Sequence, residues 1–244
     1  MKQFSKAFKA FFIIMAFFFA NLAIDLITGS LVPLIMSLSL SGDPAQYFIY
    51  GMLLGQIVKG LIALFFIRSI KVKKLKDYRS VLIGIGTVGF GLIITNLTIY
   101  LMQDTQILES ALKLLEEAFD GQGPLVFLVV VIGAPIVEEI LFRGILFGKL
   151  IDVLSPKMAI FLSGAVFGIY HFNIIQTPNT FVMGMVLAYV YYKTGNIKEP
   201  ILIHLTNNLL AMVPILDQGL MGFPIYLILI VIGVLALRKI YVKH

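Results

Sequence analysis

The chain is 244 residues long, 59% apolar and only 13% charged, with a mean hydropathy of +0.99. A soluble domain carries about twice that share of charge, so the expected fold is all-α: a single polytopic membrane bundle over 1–244, with no room for a separate soluble domain. The lack of cysteine removes disulfides, thiolate zinc sites, cysteine nucleophiles and S-acyl anchors. The net charge of +6 is read as loop lysines and arginines on one membrane face, not as a nucleic-acid footprint.

A spanning helix needs about 20 mostly apolar residues. Eight stretches qualify, at roughly 8–28, 47–67, 80–102, 124–149, 158–174, 179–193, 199–215 and 223–240. The first follows Lys2, Lys6 and Lys9 in the manner of a signal peptide. It shows no clear A-x-A cleavage site, so a retained helix is expected, ending before Gly29 and Pro33. Arg68 to Arg79 form a basic loop after the second stretch. Lys149, Lys157, Lys193, Lys198, Arg238, Lys239 and Lys243 fall on that same side of an eight-span chain. The opposite loops carry Asp43, Asp104, Glu109, Glu116, Glu117, Asp120 and Asp217, with Lys113 the one base among them. This asymmetry puts both termini in the cytoplasm.

Two local patterns call for a structural explanation. "GIGTVG" at 84–89 matches a dinucleotide fingerprint but lies inside an apolar span rather than after a soluble strand. Close helix packing is the expected use, as for Gly51 with Gly55 and Gly164 with Gly168. Residues 107–119 are amphipathic, with Leu108, Leu112, Leu115 and Phe119 on one face, and read as an interfacial helix.

Ionisable groups inside spans are functional candidates by default: Asp25, Lys59, Glu138, Glu139, Arg143, His171 and His204. Asp25 is expected near the outer end of its helix, and Lys59 is expected to snorkel towards the basic loop. The late helices carry more. "EEILFR" (138–143) puts Glu139 and Arg143 at i,i+4, so they can pair. Glu138 points about 100° away and is the less neutralised carboxylate. Low dielectric favours a neutral carboxylic acid, which suits a general base working near pH 7. Pro135 can kink the helix and free a backbone carbonyl. "FGIYH" sets Phe167 and His171 one turn apart, and "HLTNN" does the same for His204 and Asn208. A histidine can orient water or move a proton with Glu138. A second histidine with an amide can donate to an oxyanion. Ser163 is two turns from His171 and out of direct reach.

These three motifs, EExxxR, FxxxH and HxxxN in order, resemble those of the CAAX prenyl protease and bacteriocin-processing (Abi) family. The resemblance covers roughly 124–215, and "APIVEEILFRG" is close to the family's wording. It implies an intramembrane glutamate-type endopeptidase. Glu138 would be catalytic and would activate water with His171. His204 and Asn208 would form the oxyanion site, with Glu139, Arg143 and Phe167 in support. The implied partners are a membrane-anchored peptide or protein substrate and the lipid bilayer; the compact form and short loops point to a bacterial plasma membrane. Non-enzymatic scaffold or immunity roles also occur in the family. Glu138, His171 and His204 offer a two-histidine, one-carboxylate zinc set, but no HExxH is present, and a metal-free reaction without cofactor is the expectation.

Counting rise per residue from the basic ends puts Glu138 roughly 15 Å deep, His204 about 8 Å and His171 about 20 Å. Tilt or a kink at Pro135 must bring them together. The cavity is expected to open towards the cytoplasm. A proton relay for transport is the third reading, disfavoured because the halves show no repeat symmetry.

Overall fold

A computed structural model describes residues 2–66, 70–75, 77–119, 123–213 and 216–240, with the backbone alone for 2–4 and 114–119. No strand occurs among them. In hydrocarbon every backbone N–H and C=O must find its partner within the segment, and a helix does this for apolar sequence. The helices are α1 (Lys2–Leu40), α2 (Phe48–Phe66), α3 (Arg79–Met102), α4 (Gln106–Phe119), α5 (Gly123–Val153), α6 (Pro156–Tyr170), α7 (Gln176–Thr194), α8 (Lys198–Ala211) and α9 (Phe223–Lys239). The protein is an all-α membrane bundle. Five helices among the described residues (α1, α2, α3, α5 and α9) are long and apolar enough to cross a membrane. The other three expected stretches appear as α6, α7 and α8, shorter or more polar than the rest.

One boundary differs from expectation. α1 continues through Gly29 and Pro33 to Leu40. A proline is tolerated in a membrane helix when neighbours cover the loss, and Gly29 serves a contact instead of a break. A Cβ on Gly51 of α2 would lie 3.1 Å from Gly29 Cα, and one on Gly55 would lie 2.8 Å from Thr28 Oγ1. α1 and α2 are thus a close antiparallel pair.

Small residues do the same elsewhere. A Cβ on Gly86 would sit 2.5 Å from Gly233 Cα, and one on Gly84 2.8 Å from Ile203 O. The "GIGTVG" stretch is where α3 meets α9 and α8, as expected of packing glycines. Gly164 and Gly168 face α7, with Gly184 answering Gly164. α4 is helical as expected; Leu108 is buried and Leu112 exposed, while the side chains of Leu115 and Phe119 lie outside the described residues.

α5 runs through the middle, touching α1, α2, α6, α7 and α8. The core forms around it from Phe142, Leu146, Leu150, Phe167, Leu187 and Ile203. Two site helices end in left-handed turns. α6 stops at His171 because Phe172 adopts φ +47°. α7 stops at Gly195, φ +56°, whose N–H returns to Tyr191 O at 2.8 Å, a left-handed cap that glycine takes without strain.

Candidate active site

α5 carries the first motif, and its backbone is irregular on both sides of it. Phe127–Gly133 and Ile140–Phe147 are wound as π-helix, with α-helical Ala134–Glu139 between. Pro135 accounts for the first irregularity. Ala134 N donates five residues back to Val129 O. The next carbonyl in that register, Val130 O, would need the nitrogen of Pro135, which has no hydrogen. Asn208 of α8 supplies the donor, its Nδ2 2.9 Å from Val130 O. The proline does free a carbonyl, and a side chain meets it.

Glu139 and Arg143 pair as their spacing required. Both are fully buried, and Arg143 Nη1 donates to Glu139 Oε1 at 3.0 Å. Arg143 Nη2 donates to Gly184 O of α7 at 3.0 Å, and its guanidinium carbon lies 4.5 Å from the centre of the Phe167 ring. A buried cation needs such company, because desolvation costs several kcal/mol per ion. His204 Nδ1 meets the same Glu139 oxygen at 2.9 Å. An ionised carboxylate only accepts, so Nδ1 carries the hydrogen. One buried cluster therefore ties α5, α6, α7 and α8 together. It also resolves the depth mismatch, since His204 of α8 stands beside the first motif.

His171 is arranged differently. Its Nδ1 is 2.8 Å from Phe167 O. A carbonyl only accepts, so Nδ1 again holds the hydrogen and Nε2 is left to accept. The Phe167 ring stands between the two histidines, 5.0 Å from His171 and 5.7 Å from His204, centre to centre.

A cavity of about 380 Å³ lies beside this cluster. Glu138, His171 and Tyr170 line one wall; Asp25, Gln56 and Lys59 line the other. Glu138 is half-buried and has no hydrogen bond or ion pair among the described residues. So the structure brings Glu138 and His171 to one space. It does not bring His204 and Asn208 to that wall: they hold Glu139 and Val130. Among the described residues no three histidine or carboxylate side chains are grouped to hold a metal ion.

The direction of the cavity corrects the expectation. Its walls use the first residues of α2, Phe48 and Met52, and Phe172 beyond the end of α6. Those ends lie away from the lysines at 71–74 and from Lys157. With the basic ends in the cytoplasm, the cavity runs from mid-bundle to the opposite face.

Lys59 also departs from its expected course. It does not reach for the basic loop. It is 4% exposed, and its Nζ is 2.8 Å from Asp25 Oδ1. Tyr170 donates its hydroxyl hydrogen to Asp25 Oδ2 and lies 3.3 Å from Lys59 Nζ. The sequence held a signal for this pair: one acid and one base, each alone in an apolar span. What it could not show is that α1 and α2 meet at that height.

Residues 120–210 match the family model described as type II CAAX prenyl endopeptidase Rce1-like. The putative membrane peptidase YdiL of Bacillus subtilis (strain 168) is 38% identical over 85 residues, which is 35% of this chain and 35% of that protein. The membrane-embedded CAAX protease MroQ of Staphylococcus aureus (strain USA300) is 30% identical over 89 residues, 34% of this chain and 36% of that protein. The matched stretch spans about a third of the length of these curated relatives. No solved structure matches.

Proposed function

We propose that this chain, whose residues 120–210 match the Rce1-like CAAX prenyl endopeptidase family model, is an intramembrane endopeptidase of a bacterial plasma membrane, acting on a membrane-anchored peptide or protein. One observation carries the reading. Glu138 and His171, from two helices, face a single cavity, and Glu138 has no hydrogen bond or ion pair among the described residues.

The chemistry follows from the donors and acceptors. His171 Nε2 accepts a hydrogen bond from a water and orients it. The Glu138 carboxylate takes a proton from that water as its oxygen bonds to the scissile carbonyl carbon. The tetrahedral oxyanion collapses, the C–N bond breaks, and the leaving nitrogen takes the proton back from Glu138. Oxyanion stabilisation by His204 needs a hydrogen on Nε2, hence an imidazolium with Glu139 as counter-ion. Asn208 Nδ2 has two hydrogens and spends one on Val130, so one remains. In the conformation described, both residues have a positional role as well: they hold the helix that carries Glu138. The reaction so written uses no metal.

The test is cleavage of a library of membrane-anchored peptides by wild type and Glu138→Gln, each in detergent, with and without chelator. Products from wild type alone, in both conditions, support the reading. Equal processing by the variant would end it, and loss to chelator would transfer the water activation to a metal.

A further inference from the structure

Asp25 and Lys59 lie on α1 and α2, outside residues 120–210 and outside all three motifs. Nothing in the proposed reaction uses them, yet they are two of the three members of a closed polar ring in the same cavity. Lys59 Nζ meets Asp25 Oδ1, Asp25 Oδ2 accepts from Tyr170, and the Tyr170 oxygen lies within reach of Lys59 Nζ. An ammonium this deeply buried in an apolar span is costly without partners, and here it has two.

The ring closes on a particular residue. Tyr170 is the last residue of α6 and the immediate neighbour of His171. The helix ends there on two backbone bonds, His171 N to Gly168 O at 3.2 Å and Phe172 N to Ile169 O at 3.0 Å. The next residue, Phe172, sits at φ +47°, a conformation that a bulky side chain holds only when its surroundings impose it. Tyr170 is anchored by its ring, in edge contact with Phe142 at 5.4 Å, and by its hydroxyl, on Asp25 and Lys59. The His171 ring is held within its own helix by Phe167, through Nδ1 to the carbonyl at 2.8 Å and edge contact with the ring at 5.0 Å.

We propose that the Asp25–Lys59 pair, acting through the Tyr170 hydroxyl, is a positioning device that sets the end of α6 and so holds His171 Nε2 against the Glu138 side of the cavity. This rests on the endopeptidase reading for its catalytic consequence. Its structural half, the state of the His171 ring, is independent of it. α1 and α2 then complete the active site from outside the family-matched segment.

The experiment uses the full chain in lipid nanodiscs with ¹⁵N-labelled histidine. The chain has three histidines, and His171→Gln assigns the signal. Wild type is expected to show His171 as one tautomer, protonated on Nδ1. Lys59→Met and Tyr170→Phe are each expected to give a mixture of tautomers. On an anchored peptide that wild type cuts and Glu138→Gln does not, both variants lower kcat by about 10- to 100-fold with KM held within about twofold. Lys59→Arg, which keeps the ion pair, restores both readouts. Tyr170→Phe removes one oxygen and leaves no charge unpaired, so it carries the test if Lys59→Met does not fold. Unchanged tautomer and kcat in Tyr170→Phe would overturn the proposal, as would a rise in KM at constant kcat, which would make the pair a substrate contact. If no chain cuts any peptide, the endopeptidase reading fails, and the tautomer still decides whether the pair positions His171.

Discussion

Two neighbouring glutamates are expected to fail in opposite ways when each becomes glutamine. Glu139 has no exposure, and one of its oxygens holds both Arg143 and His204. Removing one partner of a buried ion pair costs about 3–5 kcal/mol, chiefly because the other charge is left uncompensated. Glutamine keeps an accepting oxygen, and Arg143 keeps the Gly184 carbonyl. Glu139→Gln therefore belongs at the low end, about 3 kcal/mol, and Glu139→Leu, which offers no acceptor, at the high end, about 5 kcal/mol. Glu138 is half-buried and bonded to nothing among the described residues. Glu138→Gln should stay within about 0.5 kcal/mol of wild type while abolishing cleavage. Reversible unfolding in mixed micelles measures the first quantity, and peptide processing by the same preparations measures the second. A Glu139→Gln protein as stable as wild type would refute the buried-pair argument. A Glu138→Gln protein weakened by several kcal/mol would refute the separation of roles.

Further outcomes follow from other contacts. Asn208→Leu leaves Val130 O without a donor and should cost about 1–3 kcal/mol. Adding Pro135→Ala restores a backbone N–H and should recover part of that loss; no recovery in the double-mutant cycle would show that the proline is not the cause. Gly86→Leu drives a side chain into the Gly233 backbone, where neither chain can yield, and should cost about 3 kcal/mol or more, read as a lower midpoint in the same unfolding assay. Chelator should leave cleavage by wild type unchanged, as a metal-free reaction requires, and activity restored only by added zinc would contradict it.

Much of this was legible before any coordinates. The Glu139–Arg143 pair follows from i,i+4 spacing within one helix, and the separate direction of Glu138 follows from its 100° offset. The glycines of 84–89 were recognisable as packing sites by their apolar setting. What sequence periodicity cannot carry is contact between helices. His204 finding Glu139, and Asn208 finding Val130, depend on how α8 lies across α5. The Asp25–Lys59 pair was hidden for the same reason, since snorkelling is an answer available within a single helix and pairing is not. α1 was cut short on local rules for proline and glycine, whereas its neighbour α2 made a continuous helix the better solution. The direction of the cavity was misjudged because depth was counted along single helices, and its walls come from the opposite ends of α2 and α6.

The length of α1 has a mechanical consequence. At 1.5 Å per residue its 39 residues make a rod of about 58 Å, nearly twice the roughly 30 Å of hydrocarbon in a bilayer. Such a rod must lean steeply or stand proud of the lipid, and its angle is set by membrane thickness more than that of any shorter helix. Its apolar surface is mostly turned outward, with Phe8, Phe12, Phe19, Leu26 and Ile35 exposed. Thinning or thickening the bilayer therefore loads α1 first, and α1 delivers that load to Asp25.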